Sequence, residues 1–133
     1  MKELRQMLDD AQLILVGTRV YVNRLFSGAE LNEWAELDDD RLSGAIGAAT
    51  ALGRLVRRGK KYRRPLVGED LPSIGDRLRY LREIAGLTQT EAALRAGMTQ
   101  SQWADIEGDR RTPMQQTLHR VAAAIGCEPR DLV

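Results

Sequence analysis

The stretch TQTEAALRAGMTQSQWADIE, Thr88 to Glu107, decides the fold of the chain's C-terminal half. Thr88 stands three residues before Glu91, and Thr99 three before Gln102. At that spacing a hydroxyl caps a helix N-terminus and an acid or amide closes back onto the cap. Between the two patterns, Gly97 can take the left-handed conformation that ends one helix and turns the chain. Met98 then tucks into the core before Thr99 opens the next helix. The spacing therefore predicts two short helices joined by a tight turn, a helix-turn-helix. Trp103 and Ile106 fall on the inward face of the second helix, leaving Gln100, Ser101, Ala104 and Asp105 outside. These are too polar for a core and too short-armed for a generic solvated face, so they read as a surface built to touch something.

Working outward, the same cap spacing recurs at Ser73 with Asp76 and at Thr112 with Gln115. Pro113 is placed at the first helical position of the latter helix, and Glu128-Pro129 opens a short fifth. The inward residues of the motif, Ala92, Ala96, Met98, Trp103 and Ile106, find apolar counterparts in Ile74, Leu78, Leu81, Leu87, Leu118, Val121, Ala122 and Ile125.

The run IGDRLRYLREIAGLTQTEAALRAGMTQSQWADIEGDRRTP, followed by TLHRVAAAIGCEPRDLV, resembles the phage repressor/Cro-type (Xre-like) helix-turn-helix family over about residues 73–133. The matching features are Gly86-Leu87-Thr88-Gln89 before the first motif helix, small residues at Ala92 and Gly97, Ile106-Glu107 at the end of the second, and Arg110-Arg111-x-Pro113 after it. The order Gly108-Asp109 departs from the pattern by shifting the glycine one place. The resemblance implies a five-helix, lambda-repressor-like domain whose third helix enters the major groove of double-stranded DNA, and a homodimer on paired half-sites. It places base reading on Thr99, Gln100, Ser101 and Asp105. A glutamine amide can pair bidentately with adenine N6 and N7, and a carboxylate can accept from cytosine N4. Phosphate contacts are placed on Gln89, Gln102, Arg110, Arg111 and Thr112. Arg82 and Glu107 take the positions of an ion pair that ties the first helix of the domain to the reading helix.

The N-terminal half is not covered by the resemblance. Leu4, Leu8, Ala11, Leu15, Thr18, Val22 and Leu25 alternate at spacings of four and three, which predicts one amphipathic helix of about six turns. Ser27-Gly28-Ala29-Glu30 has the form of a capping box for a short helix through Trp34 and Leu37. Asp38-Asp39-Asp40 suits the positive end of a third helix over about 40–58, with Arg54, Arg57 and Arg58 at its negative end. Ser43, Gly44, Gly47, Ala48, Ala49 and Ala51 let another backbone approach that helix, either within the chain or at a subunit interface.

The expected fold is all-α. About three helices over 1–58 form a dimerisation or partner-binding domain, residues 59–72 form a basic linker, and 73–133 form the five-helix domain.

Charge is uneven. Residues 1–40 carry 4 bases and 9 acids, residues 41–66 carry 8 bases and no acid, and residues 67–133 carry 8 bases and 10 acids. Because non-specific DNA affinity rests on neutralising phosphates, the basic run reads either as a DNA-contacting arm centred on Lys60, Lys61, Arg63 and Arg64 or as a solvated helix end and linker, or a clasp for the acids of residues 30–40.

Other function classes find little support. One cysteine, Cys127, rules out an intrachain disulfide and a multi-thiolate metal site, and His119 is the sole histidine. Both read as packing or helix-surface residues, so no metal and no cofactor is expected. Three adjacent acids at 38–40 lack the glycine turn and downstream ligands of a calcium loop. No nucleophile–base pair or phosphate loop is present, so an enzyme is not expected. Neither a leader pattern nor an apolar run long enough for a bilayer is found, and a cytoplasmic location is the expectation. The leading functional reading is a sequence-specific transcriptional regulator, a repressor or autorepressor on a palindromic operator. The alternative is an antitoxin or anti-activator whose N-terminal helices bind and neutralise a partner protein.

Overall fold

The computed structural model describes residues 2–18, 24–66 and 68–133. It is predominantly helical, with one small sheet. Two compact units are present, one of Met1–Arg5 with Pro72–Val133 and one of Gln6–Leu71. Among the described residues no helix is long and apolar enough to cross a membrane.

The C-terminal unit holds α4 (Ile74–Ile84), α5 (Gln89–Ala96), α6 (Gln100–Glu107), α7 (Gln115–Ile125) and α8 (Pro129–Leu132). Helix α5 packs on α6 and α7, and α4 packs on α6, α7 and α8. Leu78, Leu81, Trp103, Ile106, Val121, Ile125 and Leu132 are fully or almost fully buried. Ile74, Met98 and Leu118, expected in this core, are only half-buried. Side-chain caps start the first three helices. Ser73 accepts from the Asp76 amide, and full capping boxes form at Thr88/Glu91 and Thr99/Gln102. Helix α7 departs from expectation by beginning at Gln115 with Met114 as its cap, two residues beyond the Thr112 start, and no side chain caps it. Cys127 is buried, and burial, aided by the charge of Asp131, pushes its thiol up to about 12. It is therefore a packing residue, while His119 lies exposed on α7.

The N-terminal unit contains most of α1 (Lys2–Thr18), then β1 (Phe26–Ser27), α2 (Gly28–Ala35), α3 (Asp39–Ala51), β2 (Val56–Arg58) and β3 (Lys61–Arg63). The strands form an antiparallel sheet in the order β1-β3-β2, with Phe26 opposite Tyr62 and Arg57 opposite Tyr62 on its other side. Phe26 is fully buried, edge to face with Trp34 at 4.9 Å between ring centroids.

Three expectations for this half need correction. The first helix was expected to reach Leu25, but α1 is described only to Thr18. Val22 lies outside the described residues, and Leu25 is exposed beyond the helix. Its buried stripe runs through Ile14 rather than Leu15, and Leu13 and Val16 are exposed.

The third helix was expected to reach residue 58, but it stops at Ala51. Gly53 turns left-handed at φ 72°, and the Arg54 and Leu55 amides donate back to Ala49 O. This satisfies the last carbonyls and sends the chain into β2. Arg57 and Arg58 therefore sit on a hairpin instead of a helix end. The small residues Ala45, Ala48 and Ala49 are core of the unit itself, and a Cβ on Gly44 would touch Met7 at 3.8 Å.

The segment 59–72, expected as linker and arm, begins as the hairpin turn Gly59-Lys60, with Gly59 at φ 63°, and continues as β3. A glycine at the first central position suits a two-residue hairpin turn. Arg63 donates to both carboxylate oxygens of Glu69 at 2.6 and 3.0 Å, and Arg58 adds a third bond at 3.0 Å. Hydrogen bonding from Arg63, then from the Leu66 amide, holds the Glu69 carboxyl down at about 2. The contribution of this latch is present above about pH 4.3, the ordinary glutamate value, and is lost as pH falls toward 2.

A buried acid that the charge pattern did not single out anchors α1 to α3. Asp10 is 2% exposed and accepts from Arg41 Nη2 at 2.6 Å, Arg41 Nε at 3.0 Å and Gln6 at 3.0 Å. Arg41's hydrogen bonds outweigh burial and hold this carboxyl below its usual range. A lowered folded-state value means stabilisation present above the unfolded value and lost as pH falls. Asp10→Asn is expected to cost about 1–2 kcal/mol at pH 7, because Arg41 is half-exposed and recovers water. The gap from the native chain should close below about pH 4. Urea denaturation followed by Trp34 fluorescence across pH 3–7 checks both the size and the closing.

Candidate nucleic-acid interface

The turn between α5 and α6 is fixed from three sides. Gly97 takes φ 71° and ψ 36°, and the Thr99 hydroxyl accepts from the Gln102 amide. From α7, Arg120 donates to Ala96 O at 2.7 and 3.0 Å and to Gly97 O at 2.8 Å. A cation on the last carbonyls of α5 complements the negative helix end, so the guanidinium locks the turn electrostatically as well as sterically.

Beneath α6 lies a polar bracket in an apolar setting. Trp103 is fully buried and Ile106 2% exposed. Arg82 of α4 donates Nε to Glu107 Oε2 at 2.8 Å and Nη2 to Oε1 at 3.0 Å, while its Nη1 holds Leu87 O at 2.7 Å. The Trp103 indole N–H donates to the same Glu107 carboxylate. Every strong donor here meets an acceptor, which a buried charge pair requires to be tolerated.

The shifted glycine after α6 has a structural reason. Asp109, not Gly108, adopts the left-handed conformation, at φ 58°. Its carboxylate accepts from the Ser73 hydroxyl at 2.6 Å and the Gly75 amide at 3.1 Å. Aspartate is among the residues that tolerate this backbone region, and a carboxylate at the N-terminus of α4 satisfies an otherwise orphaned N–H. Gly75 completes the joint. A Cβ there would lie 2.3 Å from Glu107 O and 2.7 Å from Ile106 O.

On the outward side, Thr99, Gln100 and Ser101 are exposed, and Ala104 and Asp105 are half-exposed. Gln100 Nε2 donates to Gln89 Oε1 at 2.8 Å, linking the first turns of α5 and α6. Asp105 is paired with Arg110 at 3.0 Å, and Arg110 also reaches Ala104 O at 3.2 Å. This exposed pair contributes little to stability, about 0–1 kcal/mol, but it offsets the carboxylate charge on the outward face. Gln102 spends its amide oxygen on the Thr99 N–H.

The remaining candidates sort into grooves on opposite sides of α6. One, of about 350 Å³, brings Gln89 and Arg110 together with Arg79 and Ala104. The other, of about 450 Å³, holds Gln102, Arg111 and Thr112 against Ile106 and Arg120. Lys60, Lys61, Arg63 and Arg64 belong to the other unit, and Arg63 is engaged by Glu69. Sequence reading passed over Gly75, Arg79 and Arg120, and singled out Asp109 only for its order after Gly108. Of the three passed over, Arg79 had a direct signal, an i,i+4 partner in Glu83 that the structure pairs at 3.0 Å.

Residues 73–133 match the family model described as a helix-turn-helix domain. An HTH-type transcriptional regulator of Sinorhizobium fredii, y4dJ, is 37% identical over 60 residues, which are 45% of this chain and 78% of that protein. The chain belongs to the Xre-like helix-turn-helix family. The immunity repressor protein of Bacillus phage phi105 is 39% identical over 56 residues, or 42% of this chain, and the match spans about two-fifths (39%) of that repressor's length. Among solved structures, the restriction-modification controller protein C.AhdI from Aeromonas hydrophila shares 33% identity, with 45% of this chain and 91% of that chain covered and a TM-score of 0.44. The bundle of α4 to α8 is the part of the chain that the family model matches.

Proposed function

We propose that this chain is a sequence-specific transcriptional repressor that occupies a palindromic operator as a homodimer. Repression is then steric, and no chemistry is performed. The observation that carries this reading is the pairing of Gln100 with Gln89 on the exposed side of a helix whose other side is clamped by Trp103, Glu107 and Arg82. A side-chain amide held in place before contact loses less freedom on binding a base edge, and one good bidentate contact discriminates by about 1–3 kcal/mol. Thr99, Ser101 and Asp105 complete the reading face. Gln89, Gln102, Arg110, Arg111 and Thr112 take the phosphates on either side. In such a complex Arg110 exchanges Asp105 for a phosphate, freeing the carboxylate to accept from cytosine.

The test is selection of bound duplexes from a random pool at fixed salt, run with the native chain and with Gln100→Ala. The expected result is a palindromic consensus that loses preference at one symmetry-related base position in the variant. An unenriched native pool would contradict the proposal and favour the partner-neutralising alternative.

A further inference from the structure

The turn that defines α5–α6 occurs a second time in the chain. Helices α2 and α5 each have eight residues, and each begins with a capping box, Ser27/Glu30 and Thr88/Glu91. Each ends in a buried alanine, Ala35 or Ala96, followed by a left-handed residue. Glu36 takes φ 55° and ψ 38°, where Gly97 takes φ 71° and ψ 36°. Next comes an apolar residue, Leu37 or Met98, and then the N-cap of the following helix, Asp38 or Thr99. Every one of these positions is related by the same offset of 61 residues. Burial follows the offset too, since Leu31, Leu42 and Ala45 are buried as are Ala92, Trp103 and Ile106. Few residue types are shared, so the repeat lies in backbone conformation, caps and burial.

Helix α3 holds the place of the reading helix, and at 13 residues it is longer than α6. Ser43 and Gly47 on it are exposed. Beside that face stands the β2–β3 hairpin. Ser43, Gly47 and Thr50 share a groove of about 390 Å³ with Arg57 and Tyr62. Arg57, Lys60 and Lys61 are all exposed on the hairpin. A second copy of the chain, seated symmetrically on this face, would bring those cations against their own kind. A polyanion would be drawn to them.

We infer that the N-terminal unit is a second duplex-DNA-binding module, with α3 in the major groove and the β2–β3 hairpin on the flanking phosphates. Asp39 and Asp40, at the positions equivalent to Gln100 and Ser101, accept from cytosine N4 and so select sequence while opposing non-specific binding. One chain then reads two blocks of sequence. This goes beyond the proposed repressor reading, which concerns the C-terminal unit alone.

The test uses the full chain. Each replaced phosphate contact lowers the slope of log K against log salt by about 0.9, so Arg57→Gln/Lys60→Gln/Lys61→Gln should lower it by about 2 to 3. Gly47→Glu should weaken duplex binding at least tenfold, whereas Gly47→Ala, the folding control, should stay within about twofold. In pool selection, Gly47→Glu should lose one block of preferred bases and Gln100→Ala a different one. An unchanged salt slope would overturn the inference, as would native affinity in Gly47→Glu. A Gly47→Glu effect on sedimentation without DNA, with duplex affinity intact, would assign the face to a second copy and overturn it as well. If Gln100→Ala left every preferred base in place while Gly47→Glu lost its block, the repressor reading would fall and this one would stand.

Discussion

Glu107→Ala is expected to destabilise the C-terminal unit by about 3–5 kcal/mol, because it strands the buried Arg82 guanidinium and takes the acceptor from Trp103. Arg82 is 9% exposed and Glu107 8%, so water cannot readily replace the lost carboxylate. Glu107→Gln should cost less, about 2 kcal/mol, since it keeps one acceptor oxygen and loses only charge-assisted strength. Urea denaturation in a Trp34→Phe background, where Trp103 alone reports on the unit, gives both values. Equal and small losses in the two variants would show that the bracket does not hold α6. Beyond stability, this bracket fixes the rotation of α6, and so the direction in which Gln100 and Ser101 are offered.

Gly75→Ala is expected to cost about 3 kcal/mol or more. The added methyl would meet the backbone carbonyls of Glu107 and Ile106 at 2.3 and 2.7 Å. Overpacking costs of about 1–3 kcal/mol apply where side chains can yield, and here the obstacles include the end of α6 itself. Gly86→Ala is the comparison. Gly86 turns the chain after α4, at φ 75°, but nothing lies within 4 Å of its would-be Cβ, so only backbone strain of about 1 kcal/mol is at stake. If the two substitutions proved equally harmful, close approach of α4 to α6 would not be what requires glycine at 75.

The contrast between the two halves shows what a linear pattern carries. Thr88/Glu91, Gly97 and Thr99/Gln102 are local signals, each confined to one turn of helix, and the structure uses each for the role its spacing implies. The end of α3 was misplaced because Arg54, Arg57 and Arg58 suit a helix terminus by charge alone. What ends the helix is Gly53 together with strand pairing of Val56–Arg58 to Lys61–Arg63, a contact no helical period contains. Likewise the Asp10–Arg41 pair joins residues far apart in the chain, and the Asp109 cap on α4 joins residues more than thirty positions apart. The outward face of α6 was legible because Trp103 and Ile106 orient the helix. The Gln100–Gln89 bond and the Asp105–Arg110 pair were not legible, since they depend on how α5 and the following loop are placed around it.

The most direct test of the central claim is a titration of the isotopically labelled full chain with its selected duplex, following backbone amide resonances. Contact through α6 requires the largest shifts at Thr99–Asp105 and at Gln89, with the Gln100 side-chain amide moving in step. If those resonances stayed in place at saturation while amides elsewhere in the C-terminal unit shifted, α6 would not be the helix that reads DNA.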